Sequence, residues 1–482
     1  MTTLFFMWGF VTVLNDVLVP HLKSIFDLSY TKVMLIQFAF FSAYFIFSIP
    51  SAKVLDWIGY KRTVVVGLVT MAVGALLFIP AASVPSYPLF LGALMVLAAG
   101  ITALQVAANP YVAVLGPAET ASGRLNLTQA FNSLGTFVGP FIGGLFILSG
   151  ATVSSDEVHK MSAEALKAFR IHEASTVKLP YLIISLLLLA LAVLIGTFKL
   201  PPIPGAEKHG ATVSWKSLFK YRHLVLGCIA IFVYVGAEVS IGSFLINYFG
   251  QPDIANLSAG VAAGYVAFYW GGAMIGRFIG SAMLNGIRSF PLAVILGIAL
   301  LVLAISLFAP ASIAVGDYGH LSAILSWIIG LLVRARPLII LCTTVLAAAL
   351  LASFFGGGRI QIRTGYMLAM AAVTTTLLVC ISMLTFGHVA MWSILLVGFF
   401  NSIMFPSIFT LGIAELGPLT GDGSGLLIMA IVGGAIIPVI QGALADRLGI
   451  HHAFLLPIIC YLYIVFYALS GSKPTMVAQA KG

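Results

Sequence analysis

Residues 105–116 read QVAANPYVAVLG, and residues 401–412 read NSIMFPSIFTLG. Both segments begin with a side-chain amide, place a proline five residues later and place a glycine six residues after the proline. A second pair of segments follows soon after in each case, with glycine, proline and glycine at 135, 140 and 144 and again at 433, 438 and 442. Self-similarity of this kind predicts a chain built from two related halves.

The composition places the chain in a lipid bilayer. Of its 482 residues, 61% are hydrophobic and only 8% are charged, whereas a soluble domain has about a quarter charged residues. So few charges cannot cover a water-soluble surface, and disordered chains have the opposite bias. The net charge of +9 lies mostly in loops and predicts no nucleic-acid partner. Four cysteines in apolar stretches, without CxxC spacing, predict neither a disulfide framework nor a zinc site.

Apolar segments of about 20 residues, the length that crosses a bilayer, divide the chain in two. Before residue 199 they lie at about 4–22, 32–57, 63–83, 87–115, 125–149 and 180–198. After residue 222 they lie at about 223–249, 258–284, 364–386, 389–413, 422–444 and 452–470. We therefore expect an N-terminal six-helix half at 1–198, a basic, proline-containing cytoplasmic linker at 199–222 and a C-terminal half at 223–482.

The repeat also indicates an insertion in the second half. Aligning Asp16 of the first span with Glu238 of the first span after the linker gives an offset of 222, whereas Gln105 and Asn401 are 296 residues apart. The difference of 74 residues falls at about 285–363, which is rich in apolar runs. An even number of crossings preserves the orientation of the following spans, so this segment is predicted to add a hairpin of two transmembrane helices.

The distribution of Lys and Arg predicts the orientation. With the N terminus inside, fifteen of these cations fall on the cytoplasmic side and seven on the other, which agrees with the positive-inside rule. We expect a multi-pass protein of a bacterial inner membrane, with both termini cytoplasmic and membrane lipids around it. A monomer is expected.

Two carboxyl groups lie inside predicted spans, where an ionisable residue is costly and marks a pathway or relay by default. Asp16 is the first candidate for proton coupling, and the alternative for it is an Asp that reaches headgroups from near a helix end. Glu238 is the second candidate, and a neutral carboxyl held by hydrogen bonds is an equal alternative there.

Side-chain amides form the candidate binding surface. An amide offers donors and an acceptor without a charge, which suits the hydroxyl groups of a sugar. Gln105 and Asn109 share a helix face, and Asn126, Gln129 and Asn132 follow at spacing three. The alternative for any one of them is a hydrogen bond between helices.

An aromatic side chain could complete such a site by stacking on the C–H face of a sugar. Trp270, Tyr265 and Tyr269 are the candidates, and the alternative is packing against lipid or the core. The sequence contains no phosphate-binding loop, no metal-ligand spacing and no nucleophile with its base. We therefore expect no enzyme activity, no cofactor and no metal.

Several segments resemble the fucose permease family of the major facilitator superfamily, which are proton-coupled sugar symporters. They are LFFMWGF at 4–10, LND at 14–16, AANPY at 107–111, RLNLTQAFNS at 124–133 and YVGAE at 234–238. The resemblance covers nearly the whole chain except about 285–363. It implies an all-α major facilitator fold of two six-helix halves, with the insertion added. It also implies proton coupling through Asp16 and sugar binding through Gln129.

The resemblance also bears on the substrate. Fucose-transporting members have Glu where Gln105 stands and Gln where Glu238 stands, whereas the glucose/galactose branch is similar to this chain at both places. Phe405 replaces a family Tyr that precedes the proline of the tenth span. We expect import of a hexose, glucose or galactose with fucose as a further candidate, together with protons. The expected sugar site comprises Asn15, Gln105, Asn109, Gln129, Asn132, Glu238, Asn401 and Trp270.

Two other functions stay open from the residues alone. One is an uncoupled facilitator, or a transporter of another small polar solute. The other is a membrane-embedded enzyme that acts on a lipid-linked sugar, which the lack of a catalytic constellation in the sequence disfavours.

Overall fold

The computed structural model describes residues 1–13, 30–83, 86–147, 178–199, 215–285 and 363–474, with the single positions 162, 164 and 201. Asn15 and Asp16 lie outside the described residues. So do most of the predicted linker and all but the edges of the predicted insertion at 285–363.

The described chain is almost entirely helical, as the composition predicts. The helices are α1 (Thr2–Val13), α2 (Tyr30–Ser83), α3 (Tyr87–Val114), α4 (Ala121–Ile147), α5 (Lys178–Thr197), α6 (Arg222–Phe249), α7 (Ala259–Leu284), α8 (Thr364–Leu384), α9 (Gly387–Asn401), α10 (Met404–Gly412), α11 (Thr420–Met429), α12 (Gly433–Leu448) and α13 (Leu455–Phe466). Single helical turns form at Ala118–Thr120, Trp215–Leu218, Gly417–Leu419, Ala430–Val432, Ile450–Ala453 and Tyr467–Gly471.

Eight segments of the described residues are long and apolar enough to cross a membrane. Several of them contain a break that the apolar pattern does not show. In α2, Gly59 has a φ of 77° and a ψ of 169°, a left-handed backbone that favours glycine. The break leaves segments 30–58 and 60–83, each long enough at 1.5 Å per residue to cross a hydrocarbon core of about 30 Å. These match the predicted spans 32–57 and 63–83.

The predicted span 389–413 forms two helices, α9 and α10, with a turn at Ser402 and Ile403. Pro406 explains the turn, because proline has no N–H to donate to the carbonyl four residues earlier and its ring crowds that carbonyl. The freed carbonyl belongs to Ser402. By contrast, α3 stays helical through Pro110, where the corresponding carbonyl is that of Val106.

The N-terminal helices α1–α5 meet the C-terminal helices α6–α13 at one end of the bundle. Gly421 of α11 lies against Leu55 of α2, and Gly123 of α4 lies against Asn285 just after α7. The cations at this end include Lys53, Lys61, Arg62, Arg124, Lys220, Arg222 and Arg363, and we call it the basic end.

Hydrogen bonds join the two groups of helices at the basic end. The Ser281 hydroxyl donates to the Gly123 carbonyl at 2.9 Å, and the hydroxyls of Ser122 and Thr410 bond to each other. Thr364 donates to the Ser122 oxygen at 3.2 Å. Because hydroxyl groups buried in an apolar bundle are costly without partners, these contacts stabilise the arrangement in which the basic end is closed.

Candidate substrate and proton site

A cluster of buried polar side chains lies between α2 and α3. The Gln105 side chain donates to the Tyr44 hydroxyl oxygen at 3.0 Å, and both residues are almost fully buried. Asn109 lies one turn further along α3 and is 0% exposed, yet neither its amide nitrogen nor its amide oxygen has a hydrogen-bond partner among the described residues. A buried amide without partners is costly, and a sugar-binding role for Asn109 stays a prediction.

The amides of α4 play different parts. Asn126 donates to the Ser122 carbonyl of its own helix at 2.9 Å and leaves its amide oxygen unpaired. Asn132 donates to the Phe5 carbonyl of α1 at 3.0 Å, so its nitrogen holds two helices together. Gln129 is buried, and only its backbone carbonyl has a described partner, the Ser133 hydroxyl at 3.1 Å. A sugar-binding role for Gln129 and Asn132 stays a prediction.

A second polar cluster joins α6, α7, α9 and α13. The Tyr234 hydroxyl lies 2.9 Å from a carboxyl oxygen of Glu238 and 3.0 Å from the Asn401 carbonyl oxygen. The Asn401 side chain donates to the Tyr269 hydroxyl at 3.0 Å, and its own amide oxygen is buried without a partner. The Tyr461 hydroxyl, also buried, lies near Asn401 without a well-formed hydrogen bond. The structure therefore unites Glu238 and Asn401 in one cluster.

Trp270 lies at the edge of this cluster. Its ring meets the Tyr269 ring edge to face at 5.1 Å, and the side chain is 42% exposed beside Gly242 of α6. The prediction that Trp270 stacks on a sugar stays a prediction.

Tyr269, one of the aromatic candidates, belongs to the second cluster. Residues that were not candidates also belong to the clusters or their borders: Tyr44, Tyr234, Tyr461 and Arg277. The tyrosines carry no signal in the sequence, because a Tyr in an apolar span is most often packing. Arg277 has a signal, because a cation inside an apolar span is costly. The prediction of orientation from Lys and Arg had instead counted Arg277 among the cytoplasmic cations.

The amide and proline repeat frees one backbone carbonyl in each copy, although only the second copy breaks its helix. In each copy, the residue that follows the amide lies four residues before the proline. Its carbonyl therefore receives no hydrogen bond from its own helix. The Val106 carbonyl accepts the Ser424 hydroxyl of α11 at 2.9 Å, and the Ser402 carbonyl accepts Nε of Arg277 at 3.2 Å. Both freed carbonyls therefore hold contacts between helices.

Neither cluster resembles a metal centre. Among the described residues, no group of three or more His, Cys, Asp and Glu side chains could hold a metal ion. What the clusters offer is neutral amides and hydroxyls with one carboxyl group, in a helical bundle that is apolar enough to cross a bilayer.

Residues 1–335 match the family model described as Major Facilitator Superfamily. The chain belongs to this superfamily of membrane transporters. The predicted all-α transporter fold is thereby confirmed, and the alternative of an enzyme acting on lipid-linked sugars is set aside.

Individual relatives agree with the family. The chain is 46% identical over 473 residues to a glucose/galactose transporter of Brucella abortus, covering 98% of this chain and 93% of the relative. It is 33% identical over 478 residues to the L-fucose-proton symporter of Escherichia coli, covering 98% and 92%. Among solved structures, it is similar to that of the transporter FucP in the outward conformation, with a TM-score of 0.75, 31% identity and coverage of 97% and 96%. The resemblance to the fucose permease family is confirmed.

Proposed function

We propose that this transporter imports glucose or galactose together with protons. The observation that carries the proposal is the pair of amide and phenol contacts, in which Gln105 meets Tyr44 and Asn401 meets Tyr269. Amides and phenols can hydrogen-bond to sugar hydroxyls without a net charge to neutralise. The printed functions of the relatives, glucose/galactose transport and L-fucose-proton symport, support the same class of substrate.

The unpaired amide groups favour a sugar over a smaller solute. Asn109 has two unpartnered polar atoms, and Asn126 and Asn401 each have an unpartnered oxygen. A ligand with several hydroxyl groups can pair many of these atoms at once, and an epimer that pairs fewer is rejected because buried polar groups stay unsatisfied. We assign Asn15, Gln105, Asn109, Gln129, Asn132, Asn401 and Trp270 to sugar contact.

Proton coupling is assigned to Asp16 and Glu238. Glu238 is half-buried, and its hydrogen-bond partner is a phenol, so it can hold a proton within the bundle. Gln105 stands where fucose-transporting members of the family have Glu. Glu238 in the C-terminal helices can therefore supply the proton-binding carboxyl group that α3 lacks at Gln105.

The proposed cycle is alternating access between the N-terminal helices at 1–198 and the C-terminal helices at 223–482. The closed basic end is assigned to the cytoplasm by the positive-inside rule, so the structure corresponds to an outward-facing state, in line with its likeness to FucP in the outward conformation. We place the protein in a bacterial inner membrane, as a monomer surrounded by lipid, with both termini in the cytoplasm.

The test is uptake by proteoliposomes that contain the purified protein. We expect labelled glucose or galactose to accumulate when the outside is more acidic than the inside, and we expect addition of either sugar to make the outside medium more alkaline. Fucose is the matched comparison. Fucose accumulation without glucose or galactose accumulation would refute the substrate. Sugar entry that equilibrates but never accumulates, without alkalinisation, would show an uncoupled facilitator.

A further inference from the structure

Arg277 is a cation in the interior of α7, seven residues before the helix ends at Leu284. Such a residue needs partners, because a charge inside a bilayer is costly. Its described partners lie on both sides of the boundary between the N-terminal and C-terminal helices. Nε donates to the Ser402 carbonyl at 3.2 Å, and Nη1 donates to the Ser133 hydroxyl of α4.

Both acceptors of Arg277 have lone pairs that no donor of their own helices uses. The Ser402 carbonyl is available because Pro406 cannot donate to it. The Ser133 hydroxyl donates onward to the Gln129 carbonyl at 3.1 Å, which leaves its lone pairs for Arg277. Arg277 thus connects the turn beside Asn401 with the helix that carries Gln129 and Asn132.

The place of Arg277 along the bundle is fixed by close packing. Its neighbour Gly276 touches α9, and a Cβ atom at Gly276 would clash with the Phe399 carbonyl and the Ser402 hydroxyl. Since backbone lies against backbone there, α7 cannot slide along α9 without losing this contact. Any movement of the guanidinium group must come from its side chain or from the N-terminal helices.

Arg277 also lies beside the cluster that holds Glu238. Its acceptor, the Ser402 carbonyl, is next in the chain to the Asn401 carbonyl, and the Tyr234 hydroxyl joins the Asn401 carbonyl to the Glu238 carboxyl group. The ionisable groups that interact with the Glu238 carboxyl among the described residues are Tyr234 on its own helix, Arg277 and Tyr269 on α7, and Tyr461 on α13. Arg277 is the one permanent charge of these four. Its attraction for Glu238 therefore exists only when Glu238 has lost its proton.

The hydrogen bonds of Tyr234 leave room for a protonated Glu238. A phenol has one hydrogen, but the Tyr234 hydroxyl lies within hydrogen-bond distance of both Glu238 and the Asn401 carbonyl. The carbonyl can only accept. Both contacts are satisfied when Tyr234 donates to Asn401 and a protonated Glu238 donates to Tyr234. A protonated Glu238 can therefore satisfy the contacts that are present with the basic end closed.

Resting on the proton coupling proposed above, we propose that Arg277 is a positioning residue that links the charge of Glu238 to the closure of the basic end. With Glu238 protonated, the guanidinium group donates to Ser133 across the boundary. When Glu238 releases its proton to water, the carboxylate attracts the guanidinium group and the contact to Ser133 is lost. By reciprocity, Glu238 holds its proton more tightly when the basic end is closed. An importer needs this direction of coupling, because it must bind a proton when it is open to the outside and release the proton when it is open to the inside.

The test measures the opening of the basic end directly and needs no sugar. Spin labels are attached at Ala118 and Lys220, two exposed positions on either side of the boundary, after the four native cysteines are replaced. The parent and all variants also carry Asp422→Asn, because Asp422 and Asp56 form a second carboxyl pair across the same boundary. Double electron–electron resonance then reports the distance at pH 5.5 and pH 8.5. We expect the labelled parent to be mostly closed at pH 5.5 and to open at pH 8.5. A pH-independent parent distance would overturn the proposal.

The variants separate positioning from folding. Arg277→Gln should lower the ratio of closed to open molecules at pH 5.5 about tenfold, the size of one lost charge-assisted hydrogen bond, and should remove the pH response. Glu238→Gln should stay closed at both pH values, and Arg277→Lys should restore part of the response. Arg62→Gln, an exposed cation at the same end, should behave like the parent.

Two results would overturn the proposal while leaving the proposed transport function untouched. One is an Arg277→Gln distance distribution that still responds to pH as the parent does. The other is a Glu238→Gln protein that opens at pH 8.5. Failure of sugar uptake with the expected distance changes would instead contradict the proposed substrate alone.

Discussion

Ser424→Ala should open the basic end of the transporter. The Ser424 hydroxyl donates at 2.9 Å to the Val106 carbonyl across the boundary between N-terminal and C-terminal helices, and Ser424 is 0% exposed. Pro110 prevents the helix from supplying another donor to that carbonyl. The substitution therefore removes one hydrogen bond and leaves a buried acceptor unpaired, which costs about 1–3 kcal/mol. Because only the closed state makes this bond, the ratio of closed to open molecules should fall by a factor of about 5 to 150.

Ser185→Ala is the matched control for this prediction. Ser185 is equally buried and donates to the Ala72 carbonyl at 3.0 Å, but both residues belong to the N-terminal helices. Its loss should lower the thermal stability and leave the distance between the two groups of helices unchanged. The readout is the same pair of spin labels, at Ala118 and Lys220. Equal distance distributions for Ser424→Ala and the parent would refute the role of the Val106 carbonyl in closure.

Three further predictions concern the sugar site, the packing and the coupling. Gln105→Ala should weaken sugar binding by about 1–3 kcal/mol through unpaired hydroxyl groups, measured by calorimetry, and an unchanged affinity would remove Gln105 from the site. Gly276→Ala should lower the melting temperature, because overpacking at a backbone contact costs about 1–3 kcal/mol. Gly271→Ala should leave it unchanged, because a Cβ atom there meets open space. Equal melting temperatures for the two variants would contradict the close packing of α7 against α9. Asp16→Asn should keep the exchange of labelled for unlabelled sugar and abolish accumulation in a pH gradient. If the variant still accumulated sugar, proton coupling would have to be assigned to Glu238 instead.

The predicted features that the structure and the family confirm are those with a long or periodic signal. Apolar length identifies membrane spans because a helix must satisfy its own backbone in lipid. The amide, proline and glycine repeat produces the same local feature twice, a freed carbonyl after Gln105 and another after Asn401. The separation of α9 from α10 follows from Pro406, although the continuous course of α3 through Pro110 shows that proline alone does not decide a break.

The partners of individual side chains could not be predicted in this way. Tyr44 lies 61 residues before Gln105 in the chain, and no spacing rule predicts a contact at that separation. Asn132 likewise donates to the Phe5 carbonyl of α1, which lies 127 residues earlier in the chain. Whether an amide faces a ligand or another helix depends on how each helix is rotated about its axis. That rotation is set by packing against several neighbours at once.

The sequence by itself determined that this protein lives in a bilayer, that it is built as a repeated helical transporter, and which polar residues its spans contain. Apolar length, charge distribution and residue spacing are local properties, and each has a direct physical meaning in lipid. Only the tertiary structure decided that Glu238, Tyr234, Tyr269 and Asn401 form one cluster. It also decided that Arg277 reaches across to Ser133, because such contacts exist only once helices distant in the chain are packed side by side.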